Sequence, residues 1–176
     1  MQADVIVVGL GAMGSAAAWQ LARRGARVLG IDRFAPPHDR GSSHGLTRVT
    51  REAVGEGEAY APLVRRSHAI WRELEAARAA DPTLPFEGPL MTRTGVLVIG
   101  PAGSDTAFVA RTRAVAQAFD VPHEALTAAE LRRRWPQFHI DDDEAGCFEP
   151  GGGVVYPERC MAAQLAMARR AGAQLL

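Results

Sequence analysis

The sequence of 176 residues contains no lysine: all 20 of its basic residues are arginine. No Schiff base, Walker-type phosphate lysine or lysine general base can therefore be assembled from these residues. Cysteine is nearly as scarce. Cys147 and Cys160 stand alone, which excludes a disulfide framework and a Cys-x-x-Cys metal site and predicts two structural thiols. An excess of charge is also missing, because 20 basic residues face 20 acidic ones. A chain without surplus positive charge has nothing to attract nucleic acid or an anionic membrane surface. No apolar run approaches the roughly 20 residues of a membrane-spanning helix. The residues up to Val8 enter a strand pattern without a basic leader, which predicts a cytoplasmic protein.

What remains is ordinary globular composition, 47% hydrophobic and 23% charged, sufficient to build a core. Asp4-Val-Ile-Val-Val8 reads as a strand buried on both faces, Ser15 to Arg24 as an Ala-rich helix stopped at Gly25, and Ala26 to Ile31 as a second strand. Together they form a βαβ unit. Phe34 to Gly57 is rich in Pro, His, Gly, Ser and Arg without a period and is expected to be a long ligand-serving loop. Residues 58–79 carry an amphipathic helix in which His68 is expected on the polar side. Gly95 to Ile99 reads as a strand, Ser104 as the cap of a helix, and Thr127-Ala-Ala-Glu130 as a capping box. Short strands are expected at 146–148 and 154–156, and Pro157 suits the first position of a helix. That helix, a glycine stop and Gln174-Leu-Leu176 repeat the rhythm of the first unit, so the chain reads as an N-terminal portion with more sheet to follow.

Gly9-Leu-Gly11-Ala-Met-Gly14 is a GxGxxG motif placed between strand and helix, with Asp32 eighteen positions after Gly14. This is the context that dinucleotide binding requires. The first glycine makes the turn, the second removes a Cβ from the path of the diphosphate, and the third lets helix and strand approach. Asp32 suits a ribose hydroxyl and disfavours a 2′-phosphate. NAD and FAD both use this motif, but the polar loop after Asp32 replaces the helix with which a nicotinamide site would continue, and so favours FAD. The five histidines His38, His44, His68, His123 and His139 lack paired metal-ligand spacing, and no metal is expected. Arg132 to Arg134 and Asp141 to Glu144 read as solvated charges at a helix end and a turn, and Gly151 to Gly153 as a turn.

Several of these segments resemble the monomeric sarcosine oxidase and N-methyltryptophan oxidase family of FAD-dependent amine oxidases. They are Asp4 to Asp32, Pro36 to Arg51, Gly55-Glu-Gly57, Thr92 to Pro101, Arg134-Trp-Pro136 and Phe148-Glu-Pro150, and the most specific is Gly41-Ser-Ser-His-Gly-Leu-Thr-Arg-Val-Thr-Arg51. The resemblance implies an α/β fold: a glutathione-reductase-like, Rossmann-type FAD-binding domain (1–85 and 145–176, incomplete) with an inserted α+β substrate domain (part of it at 86–144). Gly9, Gly11, Met13, Gly14, Asp32, Arg33, Ser42, Ser43 and Thr47 would line FAD. His44 and Arg48 would lie near the flavin ring, and Arg51 would clamp a substrate carboxylate, a task suited to a guanidinium fork. The implied reaction is oxidation of a sarcosine-like N-methylated or secondary amino acid by oxygen, giving an amino acid, formaldehyde and hydrogen peroxide, in a monomer. A dehydrogenase with a different electron acceptor and an inert nucleotide-binding fragment are the alternatives. Glu52 and Val54 depart from the family's usual His and Tyr in the segment Arg51-Glu-Ala-Val-Gly-Glu-Gly57, which leaves the amine substrate open. The family's oxygen-activating lysine and flavin-linking cysteine have no counterpart among these residues.

Overall fold

A computed structural model describes residues 2–105 and 107–176. In chain order the elements are β1 (Val5–Val8), α1 (Ala12–Ala22), β2 (Val28–Ile31), β3 (Arg48–Thr50), α2 (Tyr60–Ala80), β4 (Met91–Arg93), β5 (Val96–Pro101), α3 (Phe108–Ala118), β6 (Glu124–Thr127), α4 (Ala128–Arg134), β7 (Glu144–Glu149), β8 (Gly153–Val155), α5 (Pro157–Arg170) and β9 (Gln174–Leu175). Among the described residues the strands form three small sheets, ordered β1-β2-β9, β3-β8-β4 and β5-β7-β6. The chain divides into two units, one built from the stretch up to Arg48 with Ile70–Met91 and Val155–Leu176, the other from Val49–Ala69 and Thr92–Val154.

In the first unit β1 and β9 both run parallel to β2, with Val5 opposite Val28 and Leu29 opposite Gln174. The expected βαβ start is therefore present, and the expected strand at Gln174 takes the third place in its sheet. Helices α1 and α5 pack together. Their alanines allow close approach, and the fully buried hydroxyl of Ser15 donates to Gln164 Oε1 at 2.8 Å across that contact. Leu10, Ala18, Trp19, Leu74, Leu90 and Leu165 anchor the core. One expectation fails here. The first strand is not buried on both faces: Ile6 is 59% and Val8 83% exposed, because their side chains point to the face of the sheet away from α1's packing.

In the second unit β7 lies antiparallel between β5 and β6. Leu126, Leu131 and Ile140 form a core against Trp135 and Phe148. The capping box at Thr127 is complete: its side chain accepts from the Glu130 amide and the Glu130 carboxylate accepts from the Thr127 amide. Pro157 does open α5. Other details differ from expectation. The N-cap of α3 is Ala107, not Ser104, and the loop from Phe34 contains β3. His68 is 3% exposed, not on a solvated face, since Thr50 Oγ1 lies 2.8 Å from its Nε2 and Glu52 3.5 Å from its Nδ1. Among the described residues no helix is long and apolar enough to cross a membrane, and no group of acidic, His or Cys side chains could hold a metal. Replacing Thr127 by Ala removes the side-chain acceptor of the Glu130 amide while leaving the backbone amide on the Glu130 carboxylate, and is expected to cost about 1 kcal/mol, measurable as a lower urea midpoint, whereas Thr127→Ser should retain the bond.

Candidate functional site

The glycine turn is defined by close approaches. Gly9 has φ +86°, in the region that favours glycine, and its amide donates to the Ile31 carbonyl at 2.8 Å. A Cβ at Gly14 would lie 1.7 Å from the Gly9 carbonyl oxygen, and one at Gly11 would lie 3.2 Å from Ser43 Oγ. Helix α1 starts at Gly11 without a side-chain cap and has no acidic residue in its first turn. Its first turn thus supplies no carboxylate of its own to the positive end, which suits an anionic diphosphate. The Ala12 amide donates to Ser43 Oγ at 3.1 Å, so the segment beginning at Gly41 meets the glycine turn directly. Met13 stands 86% exposed beside it.

Asp32 follows β2 and is already well bonded. Its Oδ2 accepts from Leu10 N at 2.6 Å, while Oδ1 accepts from Phe34 N at 3.1 Å and lies 3.2 Å from His38 Nε2. The Arg40 amide donates to His38 Nδ1, so Nε2 of the neutral ring carries the hydrogen that faces Asp32. The Leu10 amide is the main reason that the Asp32 carboxyl is held below its ordinary pKa; burial opposes it, and Phe34 and His38 add to the lowering. Oδ1 has both lone pairs engaged, and Oδ2 retains one for a further donor such as a ribose hydroxyl. Arg33 lies 5.4 Å over the Phe34 ring.

The Gly41 to Arg48 segment is folded around one guanidinium. Arg48 donates to the carbonyls of Thr47 at 2.8 Å, His44 at 2.8 Å and Ser42 at 3.2 Å. Gly45, at φ +120°, leaves room for it: a Cβ there would lie 3.0 Å from Arg48 Nη1. His44 Nδ1 sits 2.6 Å from the Gly41 carbonyl and must donate to it. The Gly45 amide donates to Glu158 Oε1 in the first turn of α5 at 3.1 Å. Gly9, Gly11, Gly14, Asp32, Ser42, Ser43, His44, Thr47 and Arg48 thus all belong to the first unit, where Ser43 links the two motifs.

Arg51 belongs to the second unit. Its Nη2 donates to both Glu56 carboxylate oxygens, at 2.9 and 2.8 Å, its guanidinium carbon lies 5.5 Å over the Phe108 ring, and its Nε is buried without a hydrogen-bond partner. In this arrangement the Glu56 side chain stands where a carboxylate ligand of Arg51 would bind. Sequence reasoning named Gly55-Glu-Gly57 only as part of a motif; an acid five positions from the arginine was the available signal. It missed His38 and Glu158, which serve Asp32 and Gly45, because nothing in their spacing marks them.

Both cysteines are structural, as expected. Burial pushes the Cys147 thiol up to about 11 and the Cys160 thiol up to about 12, and both are free.

The sequence profile of the FAD dependent oxidoreductase (DAO) family matches residues 4–176. The monomeric sarcosine oxidase of Streptomyces avermitilis is 44% identical over 172 residues, covering 98% of this chain and 42% of that protein. The N-methyl-L-tryptophan oxidase of Salmonella arizonae is 41% identical, covering 98% of this chain and 44% of its own length. Among solved structures, an open form of NikD, described as an unusual amino acid oxidase essential for nikkomycin biosynthesis, superimposes with a TM-score of 0.76 at 30% identity, over 99% of this chain and 42% of that one. The chain thus spans less than half the length of these relatives.

Two outcomes follow from this geometry. Gly14→Ala forces a Cβ into the Gly9 carbonyl, so the variant should either fail to accumulate or lose nucleotide binding, read as soluble yield and visible absorbance of bound flavin. A thiol with a raised pKa stays protonated as pH rises toward that value, so both cysteines should resist a thiol-specific disulfide reagent at pH 8 in the folded protein and both should react once it is denatured.

Proposed function

The chain belongs to the family of FAD dependent oxidoreductases, and from that membership we propose that the first unit holds FAD for the oxidation of an N-methylated or secondary amino acid. The observation that carries this reading is the acid-free, uncapped start of α1, joined through Ser43 to the arginine-bearing segment. Gly9, Gly11, Met13 and Gly14 would receive the diphosphate with Ser42, Ser43 and Thr47. Asp32 would accept a ribose hydroxyl on its remaining lone pair, with Arg33 alongside. The second unit, with its antiparallel β5-β7-β6 sheet, would contribute to the substrate domain.

When bound, FAD supplies the two-electron acceptor for the C–N bond. The overall reaction consumes the amine, oxygen and water and yields the demethylated amino acid, formaldehyde and hydrogen peroxide. The protein's share is positional. Arg51 would exchange Glu56 for the substrate carboxylate and hold the adjacent amine in reacting geometry, the arrangement that makes transfer effectively unimolecular. Its charge in a half-buried setting, 19% exposed at the side chain, strengthens that bond relative to one in water. His44 and Arg48 would stand near the reactive ring, Arg48 also fixing the loop that carries them. Sarcosine is the first substrate to test, a reading supported by the names of the relatives. A monomeric, cytoplasmic enzyme is part of the same proposal; the word monomeric in one relative's name supports the monomer.

The test uses the full-length protein. Visible flavin absorbance and peroxide formation from sarcosine in air are expected. Reduction of an artificial acceptor without peroxide would instead make it a dehydrogenase, and colourless protein would overturn the FAD assignment. The amine reacts as its neutral form, so KM should fall as pH rises. Arg51→Ala should raise KM for carboxylate substrates about 10- to 100-fold, the loss of a charge-assisted hydrogen bond, while flavin stays bound. Unchanged kinetics would remove Arg51 from the site.

A further inference from the structure

We infer that Glu149 is a positioning residue that sets Arg51 for a carboxylate ligand. This rests on the role proposed for Arg51, and all the contacts that support it lie within the second unit.

Glu149 ends β7 and is 3% exposed. A buried carboxylate is costly unless its lone pairs are met. Here one oxygen accepts from the Glu52 amide at 2.8 Å and the other from the Ala53 amide at 2.9 Å. These are the first two amides after Arg51, reached across nearly one hundred residues of sequence. The acid thus spends itself on backbone, as an internal anion seated in a concavity of successive N–H groups. Its effect falls on the chain direction at Arg51.

The rest of the segment is pinned as well. On one side Thr50, 8% exposed, is bonded to buried His68. On the other, the Glu52 carboxylate accepts from Arg65 Nε at 2.7 Å, and Ala53 is fully buried. The Arg51 side chain is the exception. Among the described residues its one ion-pair partner is Glu56, itself about half exposed; it lies over the Phe108 ring and leaves a buried Nε without a hydrogen-bond partner. Fixed backbone under an exchangeable guanidinium is the arrangement that a carboxylate clamp requires, because the fork must meet its ligand without reorganising the loop. Glu149 supplies the fixing with its two equivalent oxygens. A carboxamide cannot copy it: one of its two ends is an NH₂ that would oppose an amide N–H.

The experiment is a double-mutant cycle in the full-length, flavin-loaded protein with Glu149→Gln and Arg51→Ala, reading KM and kcat for sarcosine and, independently of turnover, the binding of acetate from its perturbation of the visible flavin spectrum. Glu149→Gln is expected to raise KM and weaken acetate about tenfold or more, with a much smaller change in kcat, and to add nothing in the Arg51→Ala background. A purely structural role would lower the melting temperature without this split. If Arg51→Ala weakens both readouts and Glu149→Gln changes neither, or if the two effects add, the positioning role is overturned. If Arg51→Ala itself changes neither, the proposed clamp is what fails. Should Glu149→Gln not fold, Glu149→Asp takes its place: it keeps the charge but withdraws it by one methylene, and wild-type acetate binding in that variant would equally overturn the inference.

Discussion

The distance between helix α1 and the turn that precedes it governs the first unit. At Gly14 there is no space for even one carbon, because the carbonyl of Gly9 occupies it. That approach sets the start of the helix against the turn after β1 and lets Leu10, 1% exposed, enter the core while its amide bonds Asp32. The turn, the acid and the core are therefore one construction. A side chain at position 14 would displace all three, which is why the spacing of three glycines and a distant aspartate carries more information than any of them singly.

A different solution holds the second unit's functional segment. Around Arg51 the backbone is fixed by buried polar groups from elements remote in sequence, with Glu149 on its amides and His68 on the Thr50 hydroxyl. Buried polar groups that are fully bonded rigidify and specify a single arrangement. The neighbouring Glu52 is absorbed into this framework through Arg65 and His68. Its charge is thus met locally and is not left beside the guanidinium that would receive an anion.

How much of this could be read from the chain depended on whether a signal was local. The first βαβ unit, the capping box at Thr127 and Pro157 at the head of α5 are short-range patterns with stereochemical causes, and each appears in the structure. Strands β3, β4 and β6 have three or four residues and, unlike the equally short β1 and β2, no apolar run to mark them. His68 was misplaced because a polar residue in an amphipathic helix normally faces water; a hydroxyl arriving from β3 and the Glu52 carboxylate help make its burial tolerable. Arg48 and Arg51 were legible as candidates but not their present partners, since a guanidinium gives no hint in sequence of which carbonyls or carboxylates it will find. Glu149 was legible only as the middle of the Phe148-Glu-Pro150 segment; nothing local in the sequence shows that it is buried or which amides it accepts from. The exposure of Ile6 and Val8 likewise depends on what packs against a sheet face, which periodicity alone does not report.

The register of the last strand has a consequence for biosynthesis. Leu29 pairs with Gln174, so the parallel β1-β2-β9 sheet cannot gain its last strand until nearly the whole of this sequence has left the ribosome. The antiparallel β5-β7-β6 sheet, by contrast, is drawn from the contiguous stretch between Val96 and Glu149. Closing a loop as long as the first adds little thermodynamic penalty, because the entropy grows only with the logarithm of length, but it delays the event. Until β9 is made, the edge of β2 that it covers lacks this partner for its backbone N–H and C=O groups, whereas every strand of the antiparallel sheet has already been synthesised.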